Sequence, residues 1–216
     1  MIMIHGGFWR SSIDVSRARP FCERLQVEGI ATFSLEYRRV GNFGGGWPGT
    51  LDDIRAAGAF FGEHAVQFNI DPARIAVAGH SAGGQLAVWL AGENVLPLRG
   101  AISLAGAVDL RRAWELQLGN GAAGEFLGGS TEEHPQRYAM ASPIERLPLK
   151  VPVRLIHGAD DAVVPLEISE AYAHAAYAVQ DDVELVRLPG VDHSELIDPG
   201  APAFLDVLSR LRALLS

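Results

Sequence analysis

Eighteen consecutive residues without a charged side chain, Ile75 to Gly92 (IAVAGHSAGGQLAVWLAG), constrain this chain more than any other stretch. A run of that length meets the test for a membrane span. Its interior argues against one, because four glycines, a histidine, a serine and a glutamine interrupt it and the pattern changes midway. The all-apolar start Ile75–Ala78, the glycine-bounded break and the second half read as a buried strand, a tight turn and a buried helix. A strand and helix this apolar need cover on both sides, which points to helices layered above and below a sheet.

The rest of the chain repeats the alternation. Candidate strands are Met1–Ile4, Ile30–Leu35, Ile75–Ala78, Gly100–Leu104, Val153–Ile156 and Val183–Leu188. Between them run stripes at helical spacing. Leu51, Ile54, Gly58, Phe61 and Ala65 form one, opened by Thr50 as N-cap with Asp53 three residues on. Ile168, Tyr172, Ala175, Ala176 and Val179 form a second, and Phe204, Val207, Leu208, Leu211 and Leu215 a third. Ala18, Phe21, Cys22 and Leu25 suggest a fourth, in which Pro20 must lie in the first turn. The expected architecture is α/β: a doubly wound, mostly parallel sheet of about six strands flanked by helices, in one domain over residues 1–216. Two segments stand outside the alternation. Arg38–Gly49 is a glycine-rich loop, and residues 107–150 form a long insertion broken by Pro135, Pro143 and Pro148, expected to act as a cap or pocket wall.

Composition narrows the functional classes. With 48% hydrophobic and 20% charged residues, the 216-residue chain is of ordinary globular make-up, not disordered or coiled coil. A formal net charge of −8 and no Lys/Arg-rich run argue against nucleic-acid partners. Cys22 is the sole cysteine, so no intrachain disulfide can form. The N-terminus MIMIHGGFWR lacks the basic region and long apolar stretch of a secretory signal, and cytoplasm is the expected location.

The chemistry centres on Gly79-His80-Ser81-Ala82-Gly83, a G-x-S-x-G between a strand and a helix. Such a turn lifts the serine hydroxyl clear of the sheet edge, and the helix N-terminus behind it offers unpaired N–H groups. A serine hydroxyl is a weak nucleophile and needs a base held by an acid. In this arrangement the chain order is serine, acid, histidine. Asp161 follows the strand Val153–Ile156, and His193 follows the strand Val183–Leu188. All three then emerge beyond the carboxyl ends of strands, where open α/β sheets place their sites. Among seven histidines, only His193 lies in a loop after the last strand and downstream of an acid. His157 ends a strand and is expected to be buried and hydrogen-bonded; His80 is locked in the turn. No metal-ligand spacing appears, so neither a metal nor a cofactor is expected.

His5-Gly6-Gly7 follows the first strand and matches the H-G-G turn whose N–H groups complete an oxyanion hole with the residue after the nucleophile, here Ala82. With these residues in view the chain strongly resembles the α/β-hydrolase superfamily. The closest likeness is the branch of small HGG-type esterases that includes arylformamidase-like (kynurenine formamidase-like) enzymes. It is carried by His5-Gly6-Gly7-Phe8-Trp9, Glu36-Tyr37-Arg38, the Gly79–Gly84 turn, Asp109-Leu110, Ser142-Pro143, His157-Gly158 with Asp161 and Val164-Pro165, and His193 with Leu196-Ile197-Asp198-Pro199.

The resemblance implies a Ser81–His193–Asp161 triad, with Gly6 or Gly7 and Ala82 as the oxyanion hole. The family spacing His-Gly-x-x-Asp-x-x-Val-Pro selects Asp161 over Asp160. The implied activity is hydrolysis of a small ester or amide through an acyl-enzyme, by an arylformamidase-like enzyme or short-chain carboxylesterase. A carbohydrate acetylesterase and a non-catalytic ligand-binding protein on the same fold are the alternatives. Phe8, Trp9, Tyr37, Phe43, Trp47 and Trp114 are candidates for the substrate pocket. The superfamily usually has two further strands before the one leading into H-G-G. Without them Ile30–Leu35 becomes an exposed apolar edge, with the expectation of a homodimer through that edge or of native residues before Met1.

Overall fold

The computed structural model describes residues 1–216. Six strands form one sheet: β1 (Ile2–Ile4), β2 (Phe33–Leu35), β3 (Ala76–His80), β4 (Gly100–Leu104), β5 (Val153–Gly158) and β6 (Val183–Leu188). The spatial order is β2-β1-β3-β4-β5-β6, and every neighbouring pair is parallel. Parallel pairing requires crossovers, and helices supply them. They are α1 (Arg19–Val27), α2 (Gly49–His64), α3 (Ala82–Ala91), α4 (Leu110–Glu115), α5 (Leu118–Leu127), α6 (Pro135–Ala141), α7 (Leu166–Ala178) and α8 (Ala203–Leu215).

The strands' alternation divides the core between two faces. Ile2, Ile4, Val77, Ala101 and Leu155 pack into a layer with Leu51, Ile54, Leu86 and Ile168 of α2, α3 and α7. Met1, Met3, Ala76, Ala78, Ile102 and Ile156 pack into the opposite layer with Phe21 and Leu25 of α1 and Phe204, Val207 and Leu211 of α8. This is the doubly wound arrangement that the apolar runs implied, with β2 outside β1 at the edge. Pro20 stands in the first turn of α1, where its missing N–H costs nothing.

Element ends differ from the sequence pattern in instructive ways. β3 continues two residues beyond Ala78 to His80, so the strand runs directly into the serine turn. β5 likewise reaches Gly158. β2 begins only at Phe33 and not at Ile30, because the Ile30 N–H is taken by Leu25 O at 2.9 Å in closing the end of α1. Thr50 is not an N-cap. α2 starts two residues earlier, at Gly49 behind Pro48, and buried Thr50 instead donates its hydroxyl to Arg38 O at 2.5 Å and accepts the Gly46 N–H at 3.2 Å. Asp53 is drawn outward to the Arg38 guanidinium at 2.6 Å. The loop Arg38–Gly49 is thereby pinned to α2 by side chains, a role that helical periodicity does not encode. No helix is long and apolar enough to cross a membrane. Between β4 and β5 the chain folds into α4, α5 and α6, and α5 opens with Gly119, Asn120 and Gly121 all left-handed.

Candidate active site

Ser81 occupies the turn from β3 to α3 with φ 58° and ψ −124°, a conformation that costs free energy in any residue with a Cβ and clusters at functional sites. The surroundings fix it. The Ser81 N–H donates to Leu104 O of β4 at 2.9 Å, and Ser81 O accepts from Gly84 N at 2.8 Å in the first turn of α3. Gly79 has to be glycine, since a Cβ there would run into the carbonyl of Gly83. The N–H of Ala82, at the start of α3, makes no bond within the protein.

The loops after β5 and β6 bring the acid and the histidine together. His193 Nδ1–H donates to Asp161 Oδ2 at 2.7 Å, which fixes the tautomer and leaves Nε2 able to accept a proton. Asp161 is itself immobilised: its Oδ1 accepts the Val163 and Val164 N–H groups, each at 2.8 Å, and His157 Nε2 lies 3.4 Å from Oδ2. Burial alone would raise the pKa of this carboxyl. The hydrogen bonds from His157, His193 and Val164 outweigh it and hold Asp161 well below the ordinary carboxylate range. His157 is fully buried, accepting from Ser169 Oγ at 2.7 Å and donating to Val164 O at 2.8 Å, as its place at the strand end implied. Asp160, next in sequence to Asp161, is exposed.

His80 buttresses the histidine loop from inside. Its Nε2–H donates to His193 O at 2.8 Å, and the two rings lie 4.5 Å apart. Burial, with His193 nearby, lowers the His80 pKa to about 3, so the ring stays neutral. The turn after β1 abuts this same point. A Cβ on Gly6 would sit 2.7 Å from His80 O and 3.0 Å from Ser81 Cβ, so only glycine lets the turn come this close. The Gly6 and Gly7 N–H groups make no bond within the protein. His5 anchors the turn: its ring nitrogens lie 2.8 Å from Gly6 O and 3.1 Å from Glu36 Oε1, and Tyr37 stacks on it at 4.5 Å.

Ser81 borders two spaces of different character. One is an open cleft of about 290 Å³ that also touches Gly6, Gly7, Phe8, Ile13, Arg17, His80, Val163 and His193. The other is a small, almost wholly apolar pocket lined by Phe8, Trp9, Ala82, Ala107, Ala113, Leu118, Ala123 and Val164. His193 borders the first and not the second.

The chain has relatives among known proteins. The BD-FAE family model matches residues 1–175, four-fifths of the chain and all of its elements through β5. The chain belongs to the BD-FAE family. This BD-FAE chain is 30% identical over 241 residues to esterase LipC of Mycobacterium tuberculosis, a match covering 99% of the chain and 59% of LipC. It is 24% identical to the probable carboxylic ester hydrolase LipM of the same organism, covering 90% of the chain and 48% of LipM. The chain thus spans about half to six-tenths of the length of these curated relatives. Among solved structures, a truncated carbohydrate esterase from gut microbiota superposes with a TM-score of 0.80 at 22% identity, covering 99% of this chain and 84% of that one. Butyrate-bound esterase 2 of Thermogutta terrifontis gives 0.76 at 23% identity, covering 99% and 81%. These superpositions show the α/β-hydrolase fold.

Within the BD-FAE chain the aromatic candidates separate. Phe8 lines both spaces, and Trp9 lines the apolar pocket while its Nε1–H donates to Gln85 Oε1 at 2.9 Å. Tyr37 lines neither: it is buried behind the turn, donating its hydroxyl to His5 O at 2.8 Å. Trp47 borders a separate groove with Trp89 and Met140. Trp114 packs partly buried against the core, and Phe43 is fully exposed. Sequence reasoning missed two participants. Buried Gln85 links Trp9 to Ala141 O, which it reaches through Nε2 at 2.9 Å. Its signal was a polar residue inside the uncharged run. Arg17 lies on a short 3₁₀ turn, where no periodic pattern could mark it.

Proposed function

We propose that this BD-FAE chain is a serine hydrolase that cleaves small carboxylic esters through an acyl-enzyme. The observation that carries the proposal is His193, held by Asp161 at 2.7 Å and bordering the same cleft as strained Ser81 and as Gly6 and Gly7, whose N–H groups are unbonded. Ser81 Oγ attacks the acyl carbon and passes its proton to His193 Nε2. The carbonyl oxygen, now negative, takes hydrogen bonds from the Ala82 N–H and from Gly6 or Gly7, donors already oriented before the reaction. Asp161 stabilises the imidazolium. The imidazolium returns the proton to the departing oxygen as the bond to the acyl carbon breaks. Water then attacks the acyl carbon as His193 accepts its proton, the acyl–Ser81 bond breaks as His193 returns that proton to Ser81 Oγ, and the carboxylic acid and free serine result.

In this proposal the two halves of the substrate occupy the two spaces. The departing oxygen has to meet His193, so the leaving group occupies the open cleft. The acyl group then enters the apolar pocket, whose tight walls of Phe8, Trp9, Ala107, Ala113, Leu118 and Ala123 favour a chain of one or two carbons. In this proposal residues 107–150 serve the single domain as the acyl wall. Acetyl esters are the preferred class; a formyl amide, as in the arylformamidase likeness, also fits a pocket of that size.

A panel of p-nitrophenyl esters from acetate to octanoate, with N-formylaniline beside them, tests both levels. Acetate is expected to give the highest kcat/KM and octanoate at least ten times less. Ser81→Ala is expected to abolish turnover with the melting temperature retained. Normal turnover by Ser81→Ala would refute the mechanism, and a preference for octanoate would refute the acyl assignment.

A further inference from the structure

The open cleft carries one fully charged side chain that the mechanism does not use. Arg17 borders it together with Gly6, Gly7, Ser81 and His193, and no other lysine, arginine, aspartate or glutamate does. Its backbone is held firmly. Asp14 caps the 3₁₀ turn Val15–Ala18, Arg17 N donates to Asp14 O at 3.1 Å, and Ala18 is buried in the core.

The guanidinium at the end of that side chain is unspent. Every other arginine except Arg19 has its side chain bonded to a carboxylate or a backbone carbonyl. Arg17 has no such partner, in a chain with eight more acidic than basic side chains. Two carboxylates that bond to this turn, Asp14 and Glu36, are committed to other partners. Asp14 accepts both the N–H and the hydroxyl of Ser16, at 2.9 and 2.5 Å. Glu36 is engaged by Arg39, His5 and the Val15 N–H. An exposed guanidinium without a protein partner, on a side chain that borders the cleft beside Ser81 and His193, can recognise an anion there.

We infer that Arg17 reads a negative charge on the departing half of the substrate, so that the preferred substrates are short-chain esters of alcohols or phenols that themselves carry a carboxylate or similar anionic group. The inference rests on the hydrolase proposal and on its assignment of the leaving group to the open cleft. It makes Arg17 a residue of specificity: the bonds formed and broken at Ser81 are those already described.

The test compares 3- and 4-acetoxybenzoate with their methyl esters, which differ in charge and share the acetyl group and the aryl ring. The quantity read is the ratio of kcat/KM for the anionic substrate to that for the neutral one. Because intrinsic reactivity cancels between variants, the ratio in Arg17→Gln is expected to fall about five- to tenfold from the wild type at low salt. Arg17→Lys is expected to retain part of the preference. Half-molar salt is expected to shrink the preference in the wild type. Arg19→Gln, which alters an exposed arginine outside the cleft, keeps the wild-type ratio. A ratio that stays within twofold in Arg17→Gln, with both substrates turned over, would overturn the inference alone. Failure of the wild type to hydrolyse any of the four esters would overturn the hydrolase proposal and the inference with it.

Discussion

At the scale of single residues, two adjacent aspartates show how position divides chemistry. Asp161 is buried and receives hydrogen bonds from two backbone N–H groups and from His193, whereas Asp160 is exposed. Asp161→Asn is expected to lower kcat by about 10⁴ through loss of the correct imidazole tautomer. Asp160→Asn is expected to change kcat less than threefold. Steady-state kinetics on one acetyl ester decides the ranking, and the reverse order would displace Asp161 from the triad. Much of this neighbourhood was legible in the sequence because each member follows the end of an apolar strand, Ser81 after β3, Asp161 after β5 and His193 after β6. The pocket aromatics were not legible in the same way. Tyr37 and Trp47 sit in irregular segments, where neither a period of 2 nor one of 3.6 tells which way a side chain turns.

At the scale of elements, the end of β3 joins stability to acidity. His80 lies in that strand with its ring buried against the loop after β6. An unfolded chain takes up a proton at His80 near the ordinary histidine value of about 6.5, while the folded chain resists protonation down to about 3. Between those values the unfolded state binds the extra proton, so this contribution to stability is full above about pH 6.5 and is lost as pH falls toward 3. The slope from this one group is at most about 1.4 kcal/mol per pH unit. Asp161, also depressed in the folded state, adds a further loss only in the more acidic range where carboxylates protonate in unfolded chains. His80→Gln keeps a donor for His193 O and removes the titration. Urea unfolding between about pH 4 and pH 7 is therefore expected to show a flatter pH dependence in that variant, and an unaltered slope would contradict the buried, neutral assignment. Glycines bounding a serine were visible in the sequence. That the histidine between them braces a loop 113 residues away was not, because strand–loop contacts at that separation depend on sheet order.

At the scale of the whole molecule, the sheet has two edges of different make-up. β6 at one end is six residues long and carries Glu184 and Arg187. β2 at the other is three residues long, and close to it Phe60 and Phe68 are exposed and about half accessible. Hydrophobic, weakly charged edges invite strand addition. Light scattering across a range of protein concentrations is expected to report a mass rising toward twice that of the chain, and a constant monomer mass at the highest concentration would refute pairing through β2. The strands were legible as apolar runs, but their order was not, because right-handed crossovers still permit several windings; only the place of β2 at the edge was expected, from the resemblance. The asymmetry of the two spaces beside Ser81 was not legible either, because it arises from α4 and α5, whose short and irregular turns carry little periodicity. That asymmetry bears on kinetics. If the acyl side is a blind end, everything that reaches or leaves the acyl-enzyme shares one doorway, and the departing alcohol has to clear it before water can arrive. Turnover would then follow a ping-pong order, and any small alcohol in the medium would compete with water for the same entrance and emerge as a new ester.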